Sequence, residues 1–403
     1  MKKNVFLVAL LAMGLTTFTA CDEENNEKTI PEGIADVNFE EDQTAVTDAN
    51  LTNWVQYSVQ VANLLTKDAS DLKNAWTDSY NGGEWRDVIA KAPTGTGKTF
   101  ASYSNCVQQI IEGCADIANE VGTAKIGEPR DLWEKGSYKD AVYAVESWYS
   151  FHSIDDYTNN ILSIRNAVYG TRNGEQAAQS VASYLKANNV SLYNSLVTKI
   201  NAAVSAIQGI KSPLRSYLGS NTVLAAQNAC SALEKVLTND LKPVMMAASE
   251  EDLKPIIVNY TDHVVLPTYA DLLADNTALN TAIRTLANTA GEYQAGTKTV
   301  ADVNQAFKAA AAQWITAREP WETSEAFLFG PVADKGLDPN MDSWPLDVDA
   351  LKNTLASGKF DNLTWEGEFD ENDETIAAVQ NVRGFHTLEF LLFYNGKPRT
   401  LSK

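Results

Sequence analysis

Near the C-terminal end, Gly384-Phe385-His386-Thr387-Leu388-Glu389 lies in an apolar run of helical character that ends near Tyr394. Residues three apart on a helix share a face, so His386 and Glu389 would present an imidazole and a carboxylate side by side. That pair suits zinc or iron. Carboxylate-bridged iron bundles use the same two residue types at this spacing, in the opposite order. Gly384 leaves room for a backbone or a ligand to come close. A buried histidine hydrogen-bonded to a glutamate one turn away explains the pair nearly as well. Upstream lies a denser group, Arg318, Trp321, Glu322 and Glu325, followed by the turn Asp342-Ser343-Trp344-Pro345. Glu322 and Glu325 would share a helix face, with Arg318 one turn before Glu322. Trp321, Phe327 and Phe329 need burial, and burial draws the carboxylates inward with them. The expectation is one partly buried pocket that gathers His386, Glu389, Glu322 and Glu325, with Arg318 and Trp321 beside them. Carboxylates crowded in a low-dielectric pocket take up protons unless a cation compensates them.

Such a pocket needs rigid elements to hold it, and helical periodicity dominates from about Ala49 onward. Leu192, Leu196, Ile200, Val204 and Ile207 recur at three-to-four spacing within 191–210. The stretch 222–241 repeats the pattern, with Pro243 as a stop just beyond. Thr299 and Asp302 have the spacing of a capping box ahead of an Ala-rich helix. The Gly-rich stretch 80–98 and the Pro- and Asp-rich stretch 330–346 read as non-helical. The fold class expected is all-α, with two helical-bundle domains at 45–250 and 251–403 and little or no sheet. The boundary is placed in the charged stretch 248–254.

Ala92 to Thr99 (APTGTGKT) matches a phosphate-cradling loop almost letter for letter. That chemistry needs a strand before the loop and a second strand ending in an acid for magnesium. Residues 86–90 offer at most a very short strand, and no second one follows, so no nucleotide is expected at Ala92–Thr99.

The first twenty residues have a charged start (Lys2, Lys3), an apolar stretch Val5–Leu15 and small residues before Cys21, the pattern of a signal peptide (1–20) with lipidation at Cys21. The acidic stretch 21–44 reads as a tether too poor in apolar residues to fold. An outer membrane lipoprotein is expected, on the periplasmic or the cell-surface face, touching the membrane through the lipid anchor only. The net charge of -20 excludes nucleic acid and favours cationic partners. Cys106, Cys114 and Cys230 form no disulfide framework and read as buried free thiols.

The block Arg318–Pro331, the Asp342-Ser343-Trp344-Pro345 turn and the Gly-x-His-x-x-Glu helix, in that order, resemble imelysin-like proteins. Glu146-Ser147-Trp148-Tyr149-Ser150-Phe151-His152 through Ile161 is similar to another imelysin block, as is Ile110–Ile126. In most relatives the Trp-Pro and Gly-x-His-x-x-Glu blocks come first and the Glu-Ser-Trp-Tyr-Ser block follows, so this chain resembles a circular permutant. The resemblance implies helical bundles with the site near their interface, to which Glu146, Ser147, His152 and Asp156 would contribute along with Asp342, Trp344 and Gly384. It implies a cell-envelope protein that binds iron, another divalent metal or a small ligand, with a role in iron uptake. The alternative is a zinc-dependent metallopeptidase. Zinc peptidase helices supply two histidines and a general base. Position 390 is Phe390, so neither order of that motif is complete. A third reading is a surface binding lipoprotein in which His386 and Glu389 are only structural.

Overall fold

Helices form wherever apolar residues recur at three- and four-residue spacing. The computed structural model describes residues 31–33 and 44–402, so the expected signal peptide, Cys21 and most of the tether lie outside the described residues. Strand β1 (Val46–Thr47) leads into α1 (Leu51–Thr77), which turns Trp54, Val61, Leu65, Leu72 and Trp76 inward. A short α2 (Trp85–Ala90) occupies the stretch expected to be loop or strand. Its residues bury Trp85, Val88 and Ile89 on one side, which a single helical turn achieves and an unpaired strand does not. Then come α3 (Tyr103–Glu120), α4 (Gly127–Glu134), α5 (Tyr138–Tyr143), α6 (Ser153–Tyr169), α7 (Val181–Asn188), α8 (Val190–Gln208) and α9 (Asn221–Lys235). Pro243 does not stop the chain as expected. A π-turn at Val236–Leu241 leads into α10 (Lys242–Met246), where Pro243 sits in the first turn and its missing N–H costs nothing.

The chain continues through α11 (Glu250–Tyr260), a second π-turn and α12 (Leu266–Gln294) to α13 (Val300–Glu322). Thr299 and Asp302 close a capping box at the start of α13. The stretch 330–346 is not free of helix. It holds α14 (Pro331–Asp334) and α15 (Leu337–Asp342), each opened by a glycine at positive φ. Helices α16 (Val348–Ser357), α17 (Glu374–Gln380) and α18 (Gly384–Leu392) follow, then β2 (Phe393–Tyr394), β3 (Lys397–Pro398) and β4 (Leu401–Ser402). The fold is all-α. Among the described residues the named strands are four pieces of two residues each, and no helix is long and apolar enough to cross a membrane.

The described residues from 31 onward belong to one compact unit, within which helices pack as two groups. α1, α12, α13 and α18 form one; α3, α6, α8 and α9, with α10 and α11 against α3, form the other. Membership does not follow chain order, because α1 from the N-terminal half packs with the C-terminal helices. The groups meet where α6 packs on α13 and where α3 packs on a 3-10 turn at Glu325–Phe327. β1 pairs in parallel with β4, Val46 opposite Leu401, so the two ends of the fold are neighbours. Closeness of ends is what a circular permutation requires.

Asp68 on α1 ion-pairs with Arg383, the residue that caps α18, and both are buried. Burial pushes the Asp68 carboxyl up to about 6 although Arg383 pulls it down. Asp68→Ala would strand the guanidinium and should cost about 3 kcal/mol, the low end for breaking a buried pair. Urea denaturation at pH 7 measures this, and a loss below about 1 kcal/mol would contradict it.

Candidate metal centre

The site sits at the junction of the two helix groups, and close backbone packing makes it possible. Gly384 opens α18 with φ +83°, and a Cβ there would fall 2.4 Å from the Met341 carbonyl oxygen. Only glycine lets the end of α15, carrying Asp342, lie against the first turn of α18, carrying His386. Gly113 does the same for α3, since its Cβ would lie 2.4 Å from the Ala326 carbonyl oxygen beside Glu325. The loop before α6 bends sharply through Ser147 and Phe151, both at positive φ. That bend sets Glu146 facing inward ahead of the helix.

His386 is fully buried. Its Nδ1 lies 3.1 Å from Glu389 Oε2, while Glu389 Oε1 accepts 2.8 Å bonds from the Ser150 amide and the Ser150 hydroxyl. Glu389 therefore stands behind the ring and orients it. Nε2 is left facing Asp342 Oδ1 at 3.1 Å and Glu146 Oε1 at 3.2 Å. A carboxylate holding the far nitrogen of an imidazole is how protein metal sites fix the tautomer of a histidine ligand.

Arg318 is the hub. Its guanidinium ion-pairs with Asp342, with Glu322 Oε1 at 2.6 Å, with Glu146 Oε1 at 2.9 Å and with Asp156 Oδ2 at 3.5 Å, and it lies 3.4 Å from His386 Nε2. Lys125 reaches Glu146 Oε2 at 2.8 Å. Trp321 Nε1 donates to Asp342 Oδ2 at 2.6 Å, Ser147 to Asp156 at 2.5 Å and Asn160 to Glu322 Oε2 at 2.6 Å. Glu322 and Glu325 do not share one helix, as their spacing suggested. α13 ends at Glu322 and Glu325 opens the 3-10 turn, because the chain must bend there to meet α3. The bend still keeps one oxygen of each within 4.8 Å of the other and of Asp342. Trp344 lies with its ring 4.7 Å from the His386 ring. Its other surroundings are an open cleft of about 650 Å³, lined also by Tyr143, Trp148 and Tyr149. His152 stands apart at the start of α6, its Nε2 3.8 Å from Asp155 and its ring edge-on to Trp314.

The charges divide the carboxylates into two kinds. Burial raises the Asp342 carboxyl, but Arg318 and His386 overcome that and hold it far below its usual range. Glu146 is likewise buried yet pulled down to about 2 by Lys125 and His386. Burial and Arg318 oppose a charge on His386, and the Asp342 and Glu146 carboxylates outweigh them, so its proton is held well above the ordinary imidazole range. Glu322 and Glu325 are pushed well up by burial, with too little help from Arg318 and Lys125. Asp338 is raised to about 7 by burial and by the neighbouring Asp342 and Glu120 carboxylates. The cluster holds more negative charge than its two fixed cations can carry.

The donor set fits a divalent transition metal. Glu146, Asp342 and His386 each offer an atom within 4.8 Å of the others, giving one nitrogen and two carboxylates. One buried acceptor, Asn160 Oδ1, lacks a hydrogen-bond partner, while Glu322 Oε1 has its ion pair with Arg318 at 2.6 Å. A buried orphan of this kind points to a missing water or ion.

The sequence profile of the imelysin family, a peptidase family by its description, matches residues 38–244 and 265–403. The chain belongs to the imelysin family. An imelysin peptidase from Bacteroides ovatus is 46% identical, with a TM-score of 0.83 over 90% of this chain and all of that one. Iron-regulated protein A of Synechococcus elongatus is 30% identical over 185 residues, 46% of this chain but only 40% of that relative. In this imelysin chain, sequence reasoning did not single out four residues of the cluster. Lys125 enters through the π-turn at Val121–Lys125, a register shift with no sequence signature. Asn160, Ser150 and Asp338 lay inside noted stretches, but nothing in their types or spacing marked them as facing His386.

Proposed function

We propose that this imelysin is a cell-envelope binding protein for a divalent transition-metal cation, with iron as the physiological ion. The observation that carries the reading is the buried trio of Glu146, Asp342 and His386, with Glu389 orienting the imidazole from behind. The presence of an iron-regulated protein among its relatives supports iron over zinc. Lipidation at Cys21 and residence at the outer membrane, on the periplasmic or the surface face, belong to the same reading and rest on the N-terminal sequence. Binding is favoured over peptidase chemistry because His386 and Glu389 have no exposed surface. A peptide bond would have to reach a metal-bound water in a site closed by Trp344 and filled by Arg318.

Cation binding should raise the melting temperature by mass action, about 2.7 kcal/mol at a hundred times Kd. The gain should depend on pH with a defined sign. Asp338 binds its proton more tightly folded than unfolded, so its contribution to the cation-free protein is full below about pH 4 and is lost as pH rises through about 7. Over that window the cation replaces protons, so its stabilisation should be small near pH 5 and large near pH 8. Thermal melts with ferrous iron under anaerobic conditions and with zinc, on the wild type and on His386→Ala, test this. Equal shifts in both proteins, or none in the wild type, would leave His386 and Glu389 as a structural hydrogen bond. Release of peptides from casein that is lost in His386→Ala would instead establish the peptidase.

A further inference from the structure

The acidic stretch ahead of β1 is too poor in apolar residues to fold by itself, yet three of its residues are seated in a groove of the bundle. Pro31-Glu32-Gly33 lies against α4 and the connection from α8 to α9. The Trp133 indole N–H donates to the Pro31 carbonyl at 2.8 Å. The Gly219 amide donates to the Glu32 carbonyl at 3.0 Å. Lys211 Nζ ion-pairs with the Glu32 carboxylate at 3.0 Å. Two glycines make the approach possible: a Cβ on Gly33 would overlap the Ser216 carbonyl, and one on Gly219 would overlap the Pro31 carbonyl. The receiving wall is held by the bundle itself. Arg130, buried on α4, donates to the Leu218 and Ser220 carbonyls at 3.2 and 2.8 Å, and Ser220 caps α9. Those bonds fix the turn and leave the Gly219 N–H facing Glu32. Trp133 is 1% exposed. Neither its indole N–H nor the Gly219 amide has another acceptor among the described residues, and buried donors of this kind are normally paired.

We propose that this groove is a clamp for the chain's own tether, Pro31-Glu32-Gly33, and that it shortens the leash between the lipid and the helices. The proposal rests on the lipidation read at Cys21. Pro31 follows Cys21 by ten residues, and Thr44, two residues ahead of β1, follows it by 23. An extended chain spans at most roughly 3.5 Å per residue. Unclamped, the tether lets β1 stand as far as roughly 80 Å from the lipid; clamped, it holds the groove within roughly 35 Å. The clamp also decides which side of the molecule is held close. Arg215, in the same turn as Ser216, lies 4.8 Å from the centre of the Trp148 ring and 4.5 Å from that of Phe151. The groove therefore adjoins the aromatic cleft that Trp148 and Trp344 line. That side of the protein is kept within a short leash of the membrane instead of being free to turn away.

Two measurements on the full-length chain test this. The first uses Cys21→Ser, which carries no lipid. Hydrogen exchange at the Gly219 amide should be slow there, and at least about tenfold faster once Gly33→Val is added, because valine cannot seat against Ser216. Trp133→Phe, which keeps a ring against Tyr138 and removes the indole donor, should act in the same direction. Equal exchange at Gly219 with and without Gly33→Val would overturn the clamp. The second uses the lipidated protein on phospholipid vesicles, with a donor dye on Gln208→Cys at the exposed end of α8. Cys106, Cys114 and Cys230 are buried, which directs the dye to the new thiol. Energy transfer to headgroup-labelled lipid should be strong and should fall in Gly33→Val. Unchanged transfer beside lost exchange protection would overturn the shortened leash and leave the docking standing. A chain that gains no lipid and does not bind vesicles would overturn the lipidation reading and the leash with it, while the exchange at Gly219 still decides the docking.

Discussion

Arg318→Ala should be the most damaging single substitution in the cluster, costing the cation-free protein about 5 kcal/mol, the upper end for stranding buried charge. The guanidinium is 1% exposed and ion-pairs with Glu146, Asp156, Glu322 and Asp342. Its own charge is secure, since the surrounding carboxylates outweigh the burial that opposes it. Without it, four buried carboxylates keep only Lys125 as a fixed counter-charge. The diagnostic feature is rescue. Divalent cations should restore a large part of the lost stability in the variant and raise it less in the wild type, because in the wild type the ion must displace Arg318. Urea titrations of both proteins, with chelator and with zinc, measure the difference. A deficit that zinc leaves unchanged would make Arg318 a structural hub and nothing more.

Gly384→Ala should damage both stability and cation binding, although the residue carries no functional group. Its φ of +83° strains any side chain, and the new Cβ would meet the Met341 carbonyl at 2.4 Å. Strain and overpacking together amount to about 4 kcal/mol. Relief can come only by moving the end of α15 off α18, which draws Asp342 from His386. Cation affinity should then drop by at least about tenfold, the effect of about 1.4 kcal/mol. Isothermal titration with zinc at a temperature where the variant is folded separates the two effects. Wild-type affinity in a destabilised variant would show that α15 yields elsewhere.

Much of the site was legible in the sequence because its residues are chemically unusual where they stand. Arg318, Glu322 and Glu325 lie among aromatics that must be buried, and His386 lies in an apolar run. The helical fold was legible from periodicity in α8, α9 and α13. Local conformation was less so. Pro243 has the look of a stop in the sequence because proline breaks helix interiors, but a π-turn places it in a first turn. Lys125 was invisible as a site residue for a related reason: the π-turn rotates it toward Glu146, and nothing in its neighbours announces that extra residue. The division of labour between His386 and Glu389 was also hidden. Spacing put both on one face but did not tell that Ser150 would occupy one carboxylate oxygen and turn the glutamate from ligand to support.

The pairing of β1 with β4 also sets an order of events for the chain as it folds. α1 and the segment before β1 are held by residues that come last: Trp54 of α1 donates to the Leu391 carbonyl at 2.8 Å, and Arg399 donates to the Thr44 carbonyl at 2.7 Å, across 337 and 355 residues. Closing so long a loop costs only modestly more entropy than closing a shorter one, because that cost grows with the logarithm of length. It slows the search instead, since distant contacts repay nothing until they form. The same closure brings His386 to Glu146, 240 residues away. A chain emerging from its N-terminal end therefore has no assembled cluster of Glu146, Asp342 and His386 until its final helix arrives.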